Sequence, residues 1–163
     1  MTSAATASVS QSPPKVRLAS GSVGGSAYEV KAHREAPGGR STRPCLSVFL
    51  DGAKGSISVG GTTCGPLTPF GSMFGVSTGE GKRRRTVWPM AYEPAVRRVK
   101  LGLLGHPDVV VPLTLLSWHK SRKAGLRRFR YGVLAISGPF CLTHTTTFDV
   151  HGGVIRDADE MIC

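Results

Sequence analysis

The sequence predicts an all-β domain, and three observations carry the prediction. From Ala27 onward, apolar residues alternate with polar ones at a period of two. The breaks between these segments are short and rich in turn formers, with 21 Gly and 11 Pro among 163 residues. No long segment has the 3.6-residue apolar period of an amphipathic helix. Short strands joined by tight turns must bury one face, so we expect a two-sheet antiparallel sandwich of seven to nine strands, with a partly open β-barrel as the alternative.

The amino-terminal segment 1–26 is predicted to be a flexible leader, followed by one domain over 27–163. The leader consists mostly of Ser, Ala, Thr, Gly and Pro and has no repeating apolar face. Such a composition does not recover the conformational entropy lost on ordering.

The first predicted strands follow the leader directly. Tyr28, Val30 and Ala32 alternate with polar neighbours, which is typical of a half-buried strand. Segments 45–50 and 56–59 flank the sequence Asp-Gly-Ala-Lys-Gly, which predicts a hairpin turn over 51–55.

The later strands are predicted with turns between them. Segments 69–76 and 86–92 contain Pro and Gly, so we expect edge or bulged strands there. Segment 117–126 fits a loop or a single helical turn. Four further segments alternate like strands and end in Gly- or Pro-containing turns: 96–103, 109–115, 127–136 and 140–150.

The four cysteines predict two local disulfides. The midpoint of Cys45 and Cys64 falls inside the first predicted turn, and the midpoint of Cys141 and Cys163 falls on Gly152 in the last. Residues equidistant from a hairpin turn lie opposite each other, at the separation that a disulfide requires. We therefore pair Cys45 with Cys64 and Cys141 with Cys163.

The cysteine spacing also bears on metal and location. Zinc sites generally use close Cys pairs, and gaps of 19, 77 and 22 residues do not provide them, so we expect no metal. Disulfides persist in oxidising compartments, so we expect a secreted or cell-surface protein.

The positive charge is concentrated in the second half of the chain. Thirteen of the 21 basic residues lie between Lys82 and Arg130, against only Glu93 and Asp108, so this segment carries the whole net charge of +11. Such asymmetry suggests an anionic partner, and the alternative is that the basic residues provide solubility and protect exposed strand edges. The strand period places Arg98 and Lys100 on one outward face, and likewise Arg128 and Arg130. The candidate binding residues are Lys82, Arg83, Arg84, Arg85, Arg98, Lys100, Arg128 and Arg130.

Catalytic patterns are weak. Gly75 to Gly79 fits G-x-S-x-G around Ser77, but no helical pattern follows to build a nucleophile elbow. Alternation places Asp149 and His151 on one face and His144 on the other, so we expect the first two to shape a turn. The acidic residues are too few and too dispersed for a paired-carboxylate hydrolase, because Asp157, Asp159 and Glu160 lie in the carboxyl-terminal tail whereas Asp51 and Asp108 lie in predicted turns. We expect no cofactor.

The sequence thus favours a non-enzymatic secreted or surface domain, with a basic face for an anionic polymer or an acidic partner protein. A small secreted hydrolase is one alternative, with its site around Ser77 or around His144, Asp149 and His151. A nucleic-acid-binding module is another, and it is less favoured because alternation separates the cations from Phe129 and Tyr131. We expect no membrane span, because the longest apolar runs fall far short of roughly 20 residues.

Overall fold

The computed structural model describes residues 14–35, 43–52, 57–68 and 71–163. Within these residues the chain forms three antiparallel sheets, one short α-helix and a 3-10 turn at Gly81–Arg83. None of its described helices is long and apolar enough to cross a membrane.

The first sheet contains four strands in chain order, each paired with the next: β1 Val16–Val23, β2 Ser26–Arg34, β3 Pro44–Leu50 and β4 Val59–Cys64. The alternation predicted for β2 is confirmed, because Val30 and Ala32 are fully buried while Glu29 and Lys31 are not.

The middle sheet is built on two long strands, and the third sheet on three long strands and one short one. Three short strands complete the middle sheet, whose members are β5 Ser72–Met73, β6 Val76–Thr78, β7 Arg85–Tyr92, β10 Thr114–Leu115 and β11 Arg130–Ser137. The third sheet runs in the order β13-β12-β8-β9, with bounds β8 Arg98–Leu104, β9 Val109–Pro112, β12 Cys141–Phe148 and β13 Val154–Ile162.

Both faces of the middle sheet are buried. Val87 and Ala91 of β7 pack into one apolar cluster with the first sheet. Trp88, Met90 and Tyr92 of the same strand pack into a second cluster with the third sheet. Because successive residues of a strand point to opposite faces, the middle sheet lies between the other two.

The predicted all-β class with antiparallel sandwich packing is confirmed, and no described sheet closes into a barrel. The described residues contain three sheets and thirteen strands, more than predicted. Segment 16–23 adds a strand that was not predicted, and the predicted strand 109–115 divides into two. Segment 86–92 forms a central strand and not the expected edge. Its nearly continuous apolar sequence is typical of a strand that is buried on both faces.

The predicted leader is wrong over its second half. Residues 16–23 form β1, which pairs with β2 from Val16 opposite Ala32 to Val23 opposite Ser26. Val16, Leu18 and Val23 are buried in the first cluster, and this burial offsets the entropy of ordering the strand. Residues 1–13 lie outside the described residues.

Both predicted disulfides are confirmed. Cys45 and Cys64 are direct partners across β3 and β4, with Cα atoms 4.0 Å apart. Cys141 and Cys163 join the ends of β12 and β13 at a Cα separation of 4.4 Å. Each bridge therefore closes its own hairpin within one sheet. Residues 53–55 of the first predicted turn and residue 56 of the strand predicted after it lie outside the described residues.

The predicted strand 109–115 divides between two sheets. Val109–Pro112 belongs to the third sheet, whereas Thr114–Leu115 belongs to the middle sheet. The chain crosses between layers at Leu113, which is buried in the second cluster. It then enters the α-helix α1 at Trp118–Ala124.

Candidate anion-binding surface

Local sequence signals set both ends of α1. The Ser117 hydroxyl accepts a hydrogen bond from the Lys120 N–H at 3.3 Å and caps the first turn. Gly125 ends the helix at φ 64°, in the left-handed region, and donates its N–H to the carbonyls of Ser121 and Arg122. Ser121 also donates to the Leu126 carbonyl at 2.6 Å, which ties the helix to the chain that follows it.

One side of α1 is buried and the other is basic. Ser121 and Ala124 are the buried residues of the helix, and Ala124 joins the first cluster. The opposite side exposes residues at helical spacing, so their side chains lie together: Trp118, His119, Arg122 and Lys123. These four residues line a shallow hollow of about 500 Å³.

An exposed tryptophan forms part of this hollow. Trp118 is 65% exposed, although large apolar side chains are usually buried. The Arg128 guanidinium lies over the indole, 4.8 Å from the ring centroid, in a cation–π contact. Arg128 Nε also donates to the Leu116 carbonyl at 2.9 Å, which fixes its position. Trp118 is therefore held from one side and open to solvent elsewhere.

A second hollow adjoins the first and brings in the edge of the first sheet. It also measures about 500 Å³ and shares His119 and Lys123 with its neighbour. The strand residues Arg17 and Lys31, and Lys15 just before β1, line this hollow together with Lys120 of α1. Residues distant in sequence thus meet at one basic groove because β1 and β2 pack beside the helix.

We call this combined region the α1 surface; its charged members are Lys15, Arg17, Glu29, Lys31, Lys120, Arg122, Lys123 and Arg128. Seven are cations and one is an acid, so the surface carries a formal charge of +6. Glu29 contacts Lys31 at 2.5 Å and Arg17 at 3.7 Å, and it leaves most of the charge unpaired. Exposed ion pairs of this kind contribute little to stability, so these cations remain available to a ligand.

The predicted cations do not share one face. Lys82 and Arg83 are exposed on the 3-10 turn, whereas Arg84 and Arg85 are half-buried. Arg85 Nε donates to the Gly24 carbonyl at 2.6 Å. In the β7–β11 pairing Arg85 lies opposite Ser137 and Arg130 lies opposite Tyr92, seven residues away. At about 3.3 Å per residue along a strand, the Cα atoms of Arg85 and Arg130 are roughly 23 Å apart.

Arg98 and Lys100 lie on the outward face of the third sheet, as the alternation predicted. Arg98 is exposed and its guanidinium lies 4.9 Å from the Phe148 ring centroid. Lys100 is half-buried and forms an ion pair of 3.1 Å with Asp108. Their charges are therefore partly engaged within the sheet.

The prediction that Arg130 faces outward is wrong. Arg130 is only 6% exposed, and its guanidinium donates to the Pro94 carbonyl at 2.8 Å and the Leu113 carbonyl at 3.2 Å. Burial, followed by the nearby charges of Arg97 and Arg128, lowers the pKa of Arg130. The middle sheet is covered on both sides, so its strands lack the solvent face that simple alternation assumes. Arg130 stabilises the chain crossing between sheets and is not offered to a ligand.

Sequence reasoning missed most of the α1 surface. Lys15 and Arg17 belong to the predicted leader. Lys31 belongs to a predicted strand in which no binding residue was proposed. Trp118 gives no decisive signal in the sequence, because a tryptophan that flanks a strand is more often part of the core, with an exposed position as the alternative. A usable signal was present: Trp118, Arg122 and Lys123 follow the Ser117 cap at helical spacing and precede Gly125.

Ser77 lies on β6 and not on a strand-to-helix elbow. Its hydroxyl shares a hydrogen bond of 2.7 Å with the Thr86 hydroxyl and accepts another from Arg84 at 3.5 Å. Its recorded partners are therefore a hydroxyl and a guanidinium, whereas a nucleophilic serine needs a general base.

His144 lies between two carboxylates contributed by β13. Its Nε2 lies 2.6 Å from Asp157 Oδ1, and its Nδ1 lies 2.7 Å from Asp159 Oδ1. Asp157 also accepts from the Thr146 hydroxyl at 2.6 Å. Sequence reasoning missed this cluster because it left Asp157 and Asp159 in a tail. The predicted Cys141–Cys163 pairing could have indicated this cluster, because it fixes which residues of the hairpin lie opposite each other. Equal distances from the turn place His144 opposite Glu160, one position from the observed partner Asp159.

The cluster favours a charged imidazole over a metal ion. The carboxylates occupy opposite ring nitrogens, so the three groups do not converge on one point. No set of three His, Cys, Asp or Glu within the described residues is arranged to hold a metal. Hydrogen bonds to Asp159 and Asp157 raise the pKa of His144, and those from Thr146 and His144 lower the pKa of Asp157.

Asp149 and His151 shape the last turn, as predicted. Asp149 Oδ1 accepts hydrogen bonds of 2.8 Å from the backbone N–H groups of His151 and Gly153. This pattern closes the turn between β12 and β13.

Comparison of the chain with models of protein families, with curated proteins and with solved structures finds no match.

Proposed function

We propose that this protein is a non-enzymatic binding domain, secreted or held at the cell surface, that binds an anionic polymer through the α1 surface. The observation that carries the proposal is the groove between β1 and α1, where cations from both elements face one another around a single carboxylate. A groove lined by one sign of charge concentrates ligands of the opposite sign.

Two further features support the proposal. The groove is open and extended, which suits a chain with many charges better than a small molecule that needs enclosure. Both disulfides are compatible with an extracellular location, where anionic polymers are available.

The proposal predicts that neutralising the exposed charges of α1 weakens binding. The variant is Arg122→Gln with Lys123→Gln, which keeps good helix formers in the helix. Binding to heparin and to oligothymidylate is measured by titration between about 50 and about 200 mM salt. For the oligonucleotide, the salt dependence of log K should decrease by about one unit for each lost contact.

The matched control is Lys82→Gln with Arg83→Gln, which removes the same charge from the exposed 3-10 turn. That turn lies beside Gly24, at the far end of β1 from Arg17. The affinity and the salt slope of this control variant should match those of the parent. Equal losses in the two variants would show that net charge alone is sensed. If the parent binds neither polymer at low salt, the proposed function is wrong.

A further inference from the structure

The structure combines cations and an exposed aromatic ring on one surface, and this combination constrains the polymer. Electrostatic attraction alone requires only Lys and Arg, and an exposed indole adds nothing to it. Trp118 is nonetheless exposed and lines the shallow hollow together with His119, Arg122 and Lys123. A ring so placed offers a flat apolar surface beside the charges.

The contact with Arg128 prepares the ring for stacking. The guanidinium packs against the indole and is itself held by the Leu116 carbonyl, so the ring is supported before any ligand arrives. A supported aromatic side chain loses less conformational entropy when it binds, which increases the affinity it can contribute.

We propose that the α1 surface binds single-stranded nucleic acid, with an unpaired base stacked on Trp118 and the phosphates along the basic groove. This inference rests on the proposed function, because it needs the groove to bind a polyanion. A nucleotide joins a flat uncharged base to a charged phosphate, and the α1 surface likewise places an exposed indole beside the cations of the groove. Proteins that bind single strands without sequence preference combine these two features.

Other polyanions match the surface less well. A sulfated sugar carries its charges around the ring, so the ring cannot lie flat on an indole without desolvating them. A double helix keeps its bases stacked inside, out of reach of Trp118. An anionic membrane would call for several apolar side chains to insert, but the other three residues lining the hollow are polar or charged.

Tryptophan fluorescence tests the stacking directly. Trp88 is buried at 7% exposure, so a change in emission on binding reports Trp118. We expect oligothymidylate to quench the parent protein and to leave Trp118→Phe, in which only Trp88 emits, unquenched. Trp118→Phe should retain most of its affinity because phenylalanine also stacks on bases.

Affinity measurements separate stacking from charge. Trp118→Ala should bind oligothymidylate roughly 5- to 150-fold more weakly, the range expected for losing one stacked base. Its heparin affinity should be unchanged, because heparin uses only the cations. Trp118 is exposed, so this variant should fold; thermal unfolding of both variants verifies that they do.

Each remaining outcome has a definite meaning. If Trp118→Ala binds oligothymidylate like the parent while Arg122→Gln with Lys123→Gln does not, the inference is overturned and the proposed function stands. Tighter binding to a duplex of equal length, or to phosphatidylserine vesicles, also overturns the inference. If no probe binds the parent, both proposals fail together.

Discussion

Individual arginines in this chain serve different purposes, although the sequence presents them as one basic segment. Arg122 is exposed on α1 and is available to a ligand. Arg128, six residues later, supports the Trp118 ring. Arg130 is buried and satisfies two carbonyl groups where the chain crosses between sheets. Charge counting could find the segment, but only burial distinguishes these roles, because burial depends on the neighbouring sheets.

Residues of the His144 cluster should make stability depend on pH. Since the folded pKa of His144 is raised, its contribution is fully present below its unfolded pKa of about 6.5 and is lost as pH rises through the folded value. Since the folded pKa of Asp157 is lowered, its contribution is present above the unfolded pKa of about 3.9 and is lost as pH falls through the folded value. The cluster therefore stabilises the fold most between about pH 4 and 6.5.

Thermal unfolding of the parent and of His144→Gln between pH 4 and 9 checks this expectation. The difference in melting temperature should be largest near pH 5 to 6 and should shrink towards pH 9. The double variant His144→Gln with Asp159→Asn serves as control, since it removes both partners of one contact. A difference that is constant across the range would show that the imidazole does not titrate with its partners.

Among the secondary structure elements, α1 determines the candidate site, and its carboxyl end depends on one glycine. A Cβ at Gly125 would approach Arg34 no closer than 3.9 Å, so space is not limiting there. The cost of a side chain is instead the left-handed backbone at φ 64°.

Gly125→Ala should therefore destabilise the protein by about 1–2 kcal/mol, the cost of a left-handed non-glycine residue. Urea unfolding followed by circular dichroism measures the change. Gly125→Asn is the matched comparison, because asparagine tolerates this conformation and should recover most of the loss. Equal stability of parent and alanine variant would show that the helix end rearranges without strain.

Elements that depend on local sequence could be predicted, whereas elements that depend on contacts between distant segments could not. The two hairpin disulfides followed from distance to a turn, and β2 followed from alternation. The central position of β7 did not follow, because Pro89 within it suggested an edge. In the structure β5 pairs with Met90 and Ala91 and β6 with residues 85–87, so Pro89 falls in the gap between them. That gap is a tertiary feature.

At the scale of the whole molecule, the middle sheet couples the two apolar clusters. Leu50 is fully buried in the first cluster, whereas Trp88 is buried in the second. Both clusters use β7 and β11, so neither can lose its packing without exposing a face of the shared sheet. Unfolding should therefore be a single cooperative transition.

Leu50→Ala, made in the Trp118→Phe background, tests this coupling. Loss of the buried side chain should cost about 2–5 kcal/mol. Trp88 emission, reporting the second cluster, should shift its unfolding midpoint as far as circular dichroism does. If the Trp88 transition stays at the parent midpoint, the two clusters unfold independently.

Charge is distributed unevenly over the three sheets, and this distribution affects the rate of association. The α1 surface lies on the side of the first sheet, whereas β13 exposes Asp157 and Asp159 at the edge of the third. The third sheet also carries Arg98, Lys100 and Arg156, which offset its carboxylates. The excess positive charge therefore lies on the side of the α1 surface, and the molecule has an electric dipole moment. In the field of a polyanion, a dipole experiences a torque that turns its positive end forward. Copies diffusing towards such a polymer should arrive already oriented, with Trp118 leading, and a larger fraction of encounters should be productive.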